Sequence, residues 1–163
     1  TTLLHPLSAA FPPDERVVTV EEVAELRLNG AHTVRLEARP GTAEGAGAVA
    51  IRDLVRAALR LRPDRLVVGE VRGHEALDMI WALSTGHRGS LSTCHAASAI
   101  DALHRVETMC CSAPERLPLA AVREQVRSAI DVLVGVVRLA DGRRRVESIH
   151  RLQRDGTLTT LAA

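Results

Sequence analysis

The chain has 163 residues, enough for one domain with a real core, and its 46% hydrophobic and 25% charged content is that of an ordinary soluble globular protein. A formal net charge of +1 selects no polyanionic partner, and with Phe11 and Trp81 as the only aromatic residues there is little for base stacking, so nucleic-acid recognition is not expected. All 21 basic residues are Arg, so chemistry that needs a Lys ammonium cannot be done by these residues.

Residues 2–10 read as a short helix stopped near Pro12-Pro13. Arg16 to Val20 reads as a buried strand, and Thr33 to Ala38 as another. Residues 39–49 form a Gly-rich loop. Gly41 to Gly47 looks superficially like a phosphate cradle, but it has no Lys and its Glu44 would repel phosphate. Residues 51–61 read as an amphipathic helix, with Ile51, Leu54, Val55, Ala58 and Leu59 at helical spacing.

Leu66-Val67-Val68 is a short all-apolar run, as expected of a strand buried on both faces of a parallel sheet. Residues 74–84 read as a helix with Leu77, Ile80 and Trp81 inward. Residues 90–94 read as a strand, 98–111 as a helix, and 119–130 as a helix after the Pro114–Pro118 loop. Val132 to Leu139 reads as a strand, with Asp141-Gly142 turning it into a second over Arg144 to Leu152. A weak last strand covers residues 157–161. The alternation predicts a single α/β domain over residues 1–163, with a largely parallel central sheet and a C-terminal β-hairpin region.

Cys94, Cys110 and Cys111 have no framework spacing, which favours a reduced, cytosolic setting. No run resembles a signal peptide or a membrane span. The chain opens on Thr1-Thr2-Leu3-Leu4 without an initiator Met and reads as a fragment.

Four segments place polar residues where open α/β sheets bind ligands, just past the ends of apolar strands. RVVTVEEVAEL releases Glu21, Glu22 and Glu25, which could hold Mg²⁺ through water, orient an attacking water, or favour a helix N-terminus. LRLRPDRLVVGEVRG places Glu70 and Arg72 just after its strand. A carboxylate there is the physical content of a Walker B element, and a surface Glu70–Arg72 ion pair is the alternative. Arg60 and Arg62 could reach phosphate oxygens or remain solvated surface.

STGHRGSLSTCHA brackets a strand with His87 and His95, candidates for γ-phosphate contact or for structural histidines. A zinc site is disfavoured, because Cys94 and His95 are adjacent, adjacent strand residues face opposite ways, and no C-x-x-C occurs. Thr1-Thr2 resembles the hydroxyl residue next to the Lys of G-x-x-x-x-G-K-[ST], which binds Mg²⁺ at the start of a helix.

In their order and spacing these motifs resemble the C-terminal catalytic domain of the type II/type IV secretion ATPases, from Thr1 to about Ile149. Within them the chain is most similar to the Flp/Tad pilus-assembly (CpaF-type) branch. VTVEEVAEL resembles the family's acidic box, with Glu22 where Asp is usual. RDLVRAALRLRPDRLVVGEVRG resembles the stretch through Walker B and TGHRGSLSTCHA the His box. DALHRVETM and REQVRSAIDVLV resemble the segments C-terminal to that box.

The resemblance implies a RecA-like P-loop domain using ATP and Mg²⁺. It also implies a hexameric ring on the cytoplasmic face of an inner membrane, meeting membrane platform proteins and driving pilus assembly or export. It gives Glu21 as the carboxylate that activates water and Glu70 as the Walker B acid near Mg²⁺. It gives Thr1, with Thr2 beside it, as the P-loop hydroxyl, His95 and His87 as nucleotide contacts, and Arg60 and Arg72 as charge-stabilising or inter-subunit arginines. The Gly-Lys of Walker A is not among these residues, so these 163 residues alone are expected to hydrolyse ATP negligibly. The alternative is a non-catalytic assembly or regulatory module derived from such an ATPase.

Overall fold

The computed structural model describes residues 2–28, 30, 32–43 and 46–162. Thr1, a candidate Mg²⁺ ligand, lies outside them, as does Glu44 of the Gly-rich decoy loop.

The chain runs α1 (Leu4–Ser8), β1 (Val17–Glu21), β2 (Thr33–Glu37), α2 (Ile51–Arg60), β3 (Arg65–Val68), α3 (Glu75–Ser84) and β4 (Leu91–Ser92). It continues through α4 (Ala99–Cys111), α5 (Leu119–Ala129), β5 (Val132–Arg138), β6 (Arg144–Leu152) and β7 (Leu158–Ala162). The first four strands form one parallel sheet in the order β2-β1-β3-β4, and the last three an antiparallel meander β5-β6-β7. This is the α/β architecture expected from the sequence, with a three-stranded sheet where the hairpin region was placed.

The parallel sheet is buried because its central strands are apolar on both faces. Register pairs Val18 with Leu66 and Val20 with Val68. These four side chains, alternating along their strands, enter the larger core with Val55, Leu77, Ile80, Val122 and Val126. Val17 and Val67 point to the opposite face and pack with Leu4, Leu26 and Leu28. Each fully buried Val or Leu contributes roughly 1.5–3 kcal/mol relative to exposure, so an apolar run with no polar face can settle only in the middle of such a sheet.

The helices pack by one face. In α2, Val55 and Ala58 are fully buried while Arg56 is exposed. Arg52 and Arg56 converge on the buried Asp78 of α3, with Glu115 closing the group. Trp81 packs against the same core while remaining half-buried, and its indole N–H donates to Gln125 Oε1 at 2.9 Å, which ties α3 to α5.

The parallel strands all point one way, which decides where the polar residues fall. Their carboxyl ends release Glu21, Glu37, Gly69-Glu70 and Thr93–His95 along one edge. Backbone bonds extend the pairing past the strands: Gly69 N–H donates to Val20 O, Ala38 N–H to Glu21 O, and Val71 N–H to Thr93 O, each at 2.9 Å.

Candidate functional site

Glu70 leaves the sheet two residues after β3, on a turn fixed from both sides. Thr93 Oγ1 donates to Gly69 O at 2.6 Å, and Gly69 packs closely on Glu21. A Cβ there would come within 3.2 Å of Glu21 Cγ. Strands β1, β3 and β4 are therefore locked together where the carboxylate emerges.

Around Glu70 stands a chain of alternating charges. Arg72 Nη2 donates to Glu70 Oε2 at 2.8 Å, and Arg72 Nη1 donates to Glu22 Oε2 at 3.1 Å. His95 Nε2 lies 3.3 Å from Glu70 Oε1, an ion pair when the imidazole is protonated. The hydrogen bond from Arg72 holds the Glu70 carboxyl below its ordinary range. Partial burial opposes the shift and the His95 charge supports it. Three of the four side chains are well exposed, Arg72 at 62%, Glu22 at 67% and His95 at 84%, against 21% for Glu70. The carboxylate is thus anchored, and the exposed side chains on it can exchange for solvent or a ligand.

The two neighbouring acids after β1 have opposite fates. Glu21 ends the strand and is buried; its Oε1 accepts the N–H groups of Glu25 at 3.0 Å and Leu26 at 2.8 Å. Glu37, ending β2, accepts Ala24 N–H at 3.1 Å. These two carboxylates shape the irregular segment that presents Glu22. No helix begins there, so a helix N-terminus is not what draws acids to the position. By resemblance the water-activating role falls to Glu21, yet of this pair it is Glu22 that stands in the charge chain.

Other candidates lie elsewhere. Arg60 closes α2 and is exposed, and Arg62 comes next but one, in the turn, with a left-handed φ of 52°. Both precede β3, at the amino edge of the sheet, a strand length or about 15 Å from Glu70. Within one chain Arg60 is not brought to the Glu70 cluster. His87 also lies at the amino edge, before β4. Its Nδ1 is 2.9 Å from Ala82 O at the end of α3, so the ring closes a helix terminus. Thr2 is exposed and lines a shallow cleft of about 270 Å³ with His5, Glu25, Leu26 and Arg27. Glu70, Arg72 and His95 are not part of its lining.

Among the described residues no group of three His, Cys, Asp or Glu side chains converges to hold a metal directly. The donor set does suit Mg²⁺, which keeps most of its water and takes one or two carboxylates beside phosphate oxygens. Glu70 has that character, with oxygens now occupied by groups that can leave.

A residue missed in the sequence is Glu75. Its Oε1 accepts the N–H groups of Arg72 at 2.7 Å and Gly73 at 2.8 Å, fixing the turn that carries Arg72. The available signal was an acid in the first turn of a helix whose preceding residue, His74, supplies no side-chain cap.

Comparison with known proteins bears on this geometry. The family model described as "Type II/IV secretion system protein" matches residues 1–160. The type IV secretion system protein PtlH of Bordetella pertussis is 46% identical over 162 residues, covering 96% of this chain and 47% of PtlH. The conjugal transfer protein TrbB of Rhizobium radiobacter is 35% identical over 153 residues, covering 92% and 44%. The chain thus spans less than half the length of the curated relatives it matches. Among solved structures, the VirB11 ATPase from the Brucella suis type IV secretion system, in complex with sulphate, superposes with a TM-score of 0.80 at 30% identity, covering 92% of this chain and 45% of VirB11. The fold is that of the RecA-like secretion ATPases. With the family model covering nearly every residue and the strand-end carboxylate in place, this chain belongs to the type II/IV secretion system protein family.

Proposed function

We propose that these residues form part of the ATP-hydrolysing domain of a secretion-system motor, with the carboxyl edge of the parallel sheet as its catalytic face. The observation that carries the reading is Glu70, a carboxylate anchored at the tip of a buried strand with the exposed Arg72 on one oxygen and the exposed His95 beside the other. The relative VirB11 is an ATPase that binds sulphate, an anion with phosphate geometry, which supports the same use of this fold.

In this reading Glu70 holds the water shell of Mg²⁺ beside the β- and γ-phosphates of ATP. Thr1 supplies the P-loop hydroxyl, with Thr2 adjacent. His95, beside Glu70, would contact the γ-phosphate, and Arg72 would move from Glu70 to the charge that develops there. The acids of the β1 end orient the attacking water. Glu21 takes that role by resemblance, and Glu22 is the more exposed acid. Arg60, on the far edge, would serve a neighbouring subunit of a ring, six subunits by resemblance. His87 supports the fold.

The motor would work at the cytoplasmic face of an inner membrane against platform proteins; among the described residues no helix is long and apolar enough to cross a membrane itself. The segments DALHRVETM and REQVRSAIDVLV support a place in the Flp/Tad pilus-assembly branch, while the named relatives act in conjugal transfer and type IV secretion. Because the Walker A Lys is not among these residues, the 163-residue polypeptide alone is expected to turn over negligible ATP.

The test is Mg²⁺-dependent phosphate release by the longest native polypeptide that contains these residues. Glu70→Gln should lower kcat by about a hundredfold with the melting temperature unchanged, as for loss of a group stabilising transition-state charge. Full activity in Glu70→Gln would remove the reading.

A further inference from the structure

We propose that Glu75 is a positioning residue for the hydrolysis, holding the turn from which Arg72 reaches across to Glu70 and Glu22. This role rests on the ATPase reading above.

Arg72 has a demanding geometry to hold. Its side chain is 62% exposed and bridges carboxylates on two separate segments, the end of β1 and the end of β3. A long, exposed arginine loses much rotamer freedom in holding such a geometry. A fixed starting point for the side chain lowers that cost, because the bridge is then set by side-chain torsions alone.

Glu75 supplies the fixed point. One oxygen accepts both N–H groups of the turn, Arg72 at 2.7 Å and Gly73 at 2.8 Å. The approach is close, since a Cβ on Gly73 would lie 3.0 Å from Glu75 Oε2. The adjoining peptide is held from the other side by Val71 N–H donating to Thr93 O at 2.9 Å. Glu75 is also the first residue of α3, and α3 packs through Ala76, Leu77 and Ile80 into the core. The turn is thereby tied to the rigid body of the domain, and Arg72 is aimed by a residue that does not itself contact Glu70.

A purely structural role, capping of α3, would make the same two hydrogen bonds. The two roles separate in kinetics. If Glu75 acts through Arg72, its removal should lower kcat while the KM for MgATP moves little, and should do nothing further once Arg72 is gone.

The experiment compares wild type, Glu75→Ala, Glu75→Gln, Arg72→Ala and the Glu75→Ala/Arg72→Ala double variant in the longest native polypeptide, with MgATP as substrate. The expected result is a kcat loss of about tenfold in Glu75→Ala, a modest share of what misplacement by an ångström can cost. Glu75→Gln, which keeps the accepting oxygen, should return to within about twofold of wild type. The double variant should match Arg72→Ala alone. Multiplicative losses in the double variant would overturn the role and leave a helix cap, and Glu75→Gln as impaired as Glu75→Ala would overturn it by showing that the accepting oxygen is not what matters. Wild-type kcat in Glu75→Ala would overturn it too while the ATPase reading stands. A wild type without turnover, indistinguishable from Glu70→Gln, would overturn both.

Discussion

The two edges of the parallel sheet carry similar residues in opposite states. At the amino edge, Arg65 is 20% exposed and fully engaged. It bonds both oxygens of Glu15, donates to Gly89 O at 3.1 Å and lies 4.7 Å over the Phe11 ring. The exposed Arg16 is tied to the same edge, its backbone N–H to Asp64 Oδ2 and its guanidinium to Leu61 O. At the carboxyl edge, Arg72 makes two ion pairs of comparable length, but it stands in solvent and so does Glu22. Ion pairs of this exposed kind contribute about 0–1 kcal/mol and are exchanged cheaply. The same residue type therefore serves as a fastener at one edge and as a movable charge at the other. Burial and the number of additional partners make the difference.

Stability separates the edges most strongly. Arg65→Ala should cost about 2–3 kcal/mol, because it leaves Glu15 and Gly89 O without their donor and strips the cation from Phe11. Urea denaturation monitored by circular dichroism would measure it as a lower midpoint at unchanged slope. ATPase activity per folded molecule should be unaffected. If Arg65→Ala instead abolished turnover without loss of stability, the amino edge would have to be counted among the functional surfaces.

A milder change probes the boundary between fastening and function. Thr93→Val keeps shape but removes the hydroxyl that donates to Gly69 O at 2.6 Å. The expected cost is about 1 kcal/mol of stability, the worth of one hydrogen bond with a partly buried carbonyl left wanting. Because the bond fixes the peptide before Glu70, kcat should also fall, by a few-fold. A stability loss with unchanged kcat would show that the turn is held well enough by Gly73 and Glu75.

The contrast between edges also explains which parts of the site could be read from the sequence. Val17–Val20 and Leu66–Val68 are apolar at nearly every position, so their burial in a parallel sheet and the emergence of polar residues past their ends were legible. Glu70, Arg72 and His95 do meet, as the motif order suggested. What sequence could not resolve was the last residue of β1. Glu21 and Glu22 are adjacent acids, and whether the strand includes the first decides which is buried under Gly69 and which reaches Arg72. Glu75 was hidden for a related reason. Its carboxylate turns back onto Arg72 and Gly73 backbone, a local bond that an acid at a helix start offers without announcing its purpose. Arg60 and His87, given as site residues by resemblance, precede their parallel strands and so sit at the opposite edge from the residues that come after them; for Arg60 the inter-subunit part of that expectation suits this edge.

His87 gives the smallest and most discriminating prediction. Its Nδ1, carrying the proton, donates to Ala82 O at 2.9 Å. That carbonyl also accepts Thr85 Oγ1–H at 2.8 Å and Thr85 N–H at 3.2 Å. A carbonyl with remaining donors loses little when one is removed, so His87→Ala should cost less than about 1 kcal/mol. The KM for MgATP should stay at the wild-type value, since the ring lies before β4 and Glu70 after β3. His95→Ala, placed past the end of β4 and 3.3 Å from Glu70, should by contrast alter turnover. A several-fold rise in KM for His87→Ala would mean that nucleotide is shared between the two edges. In a ring, that would require the amino edge of one subunit to face the carboxyl edge of the next.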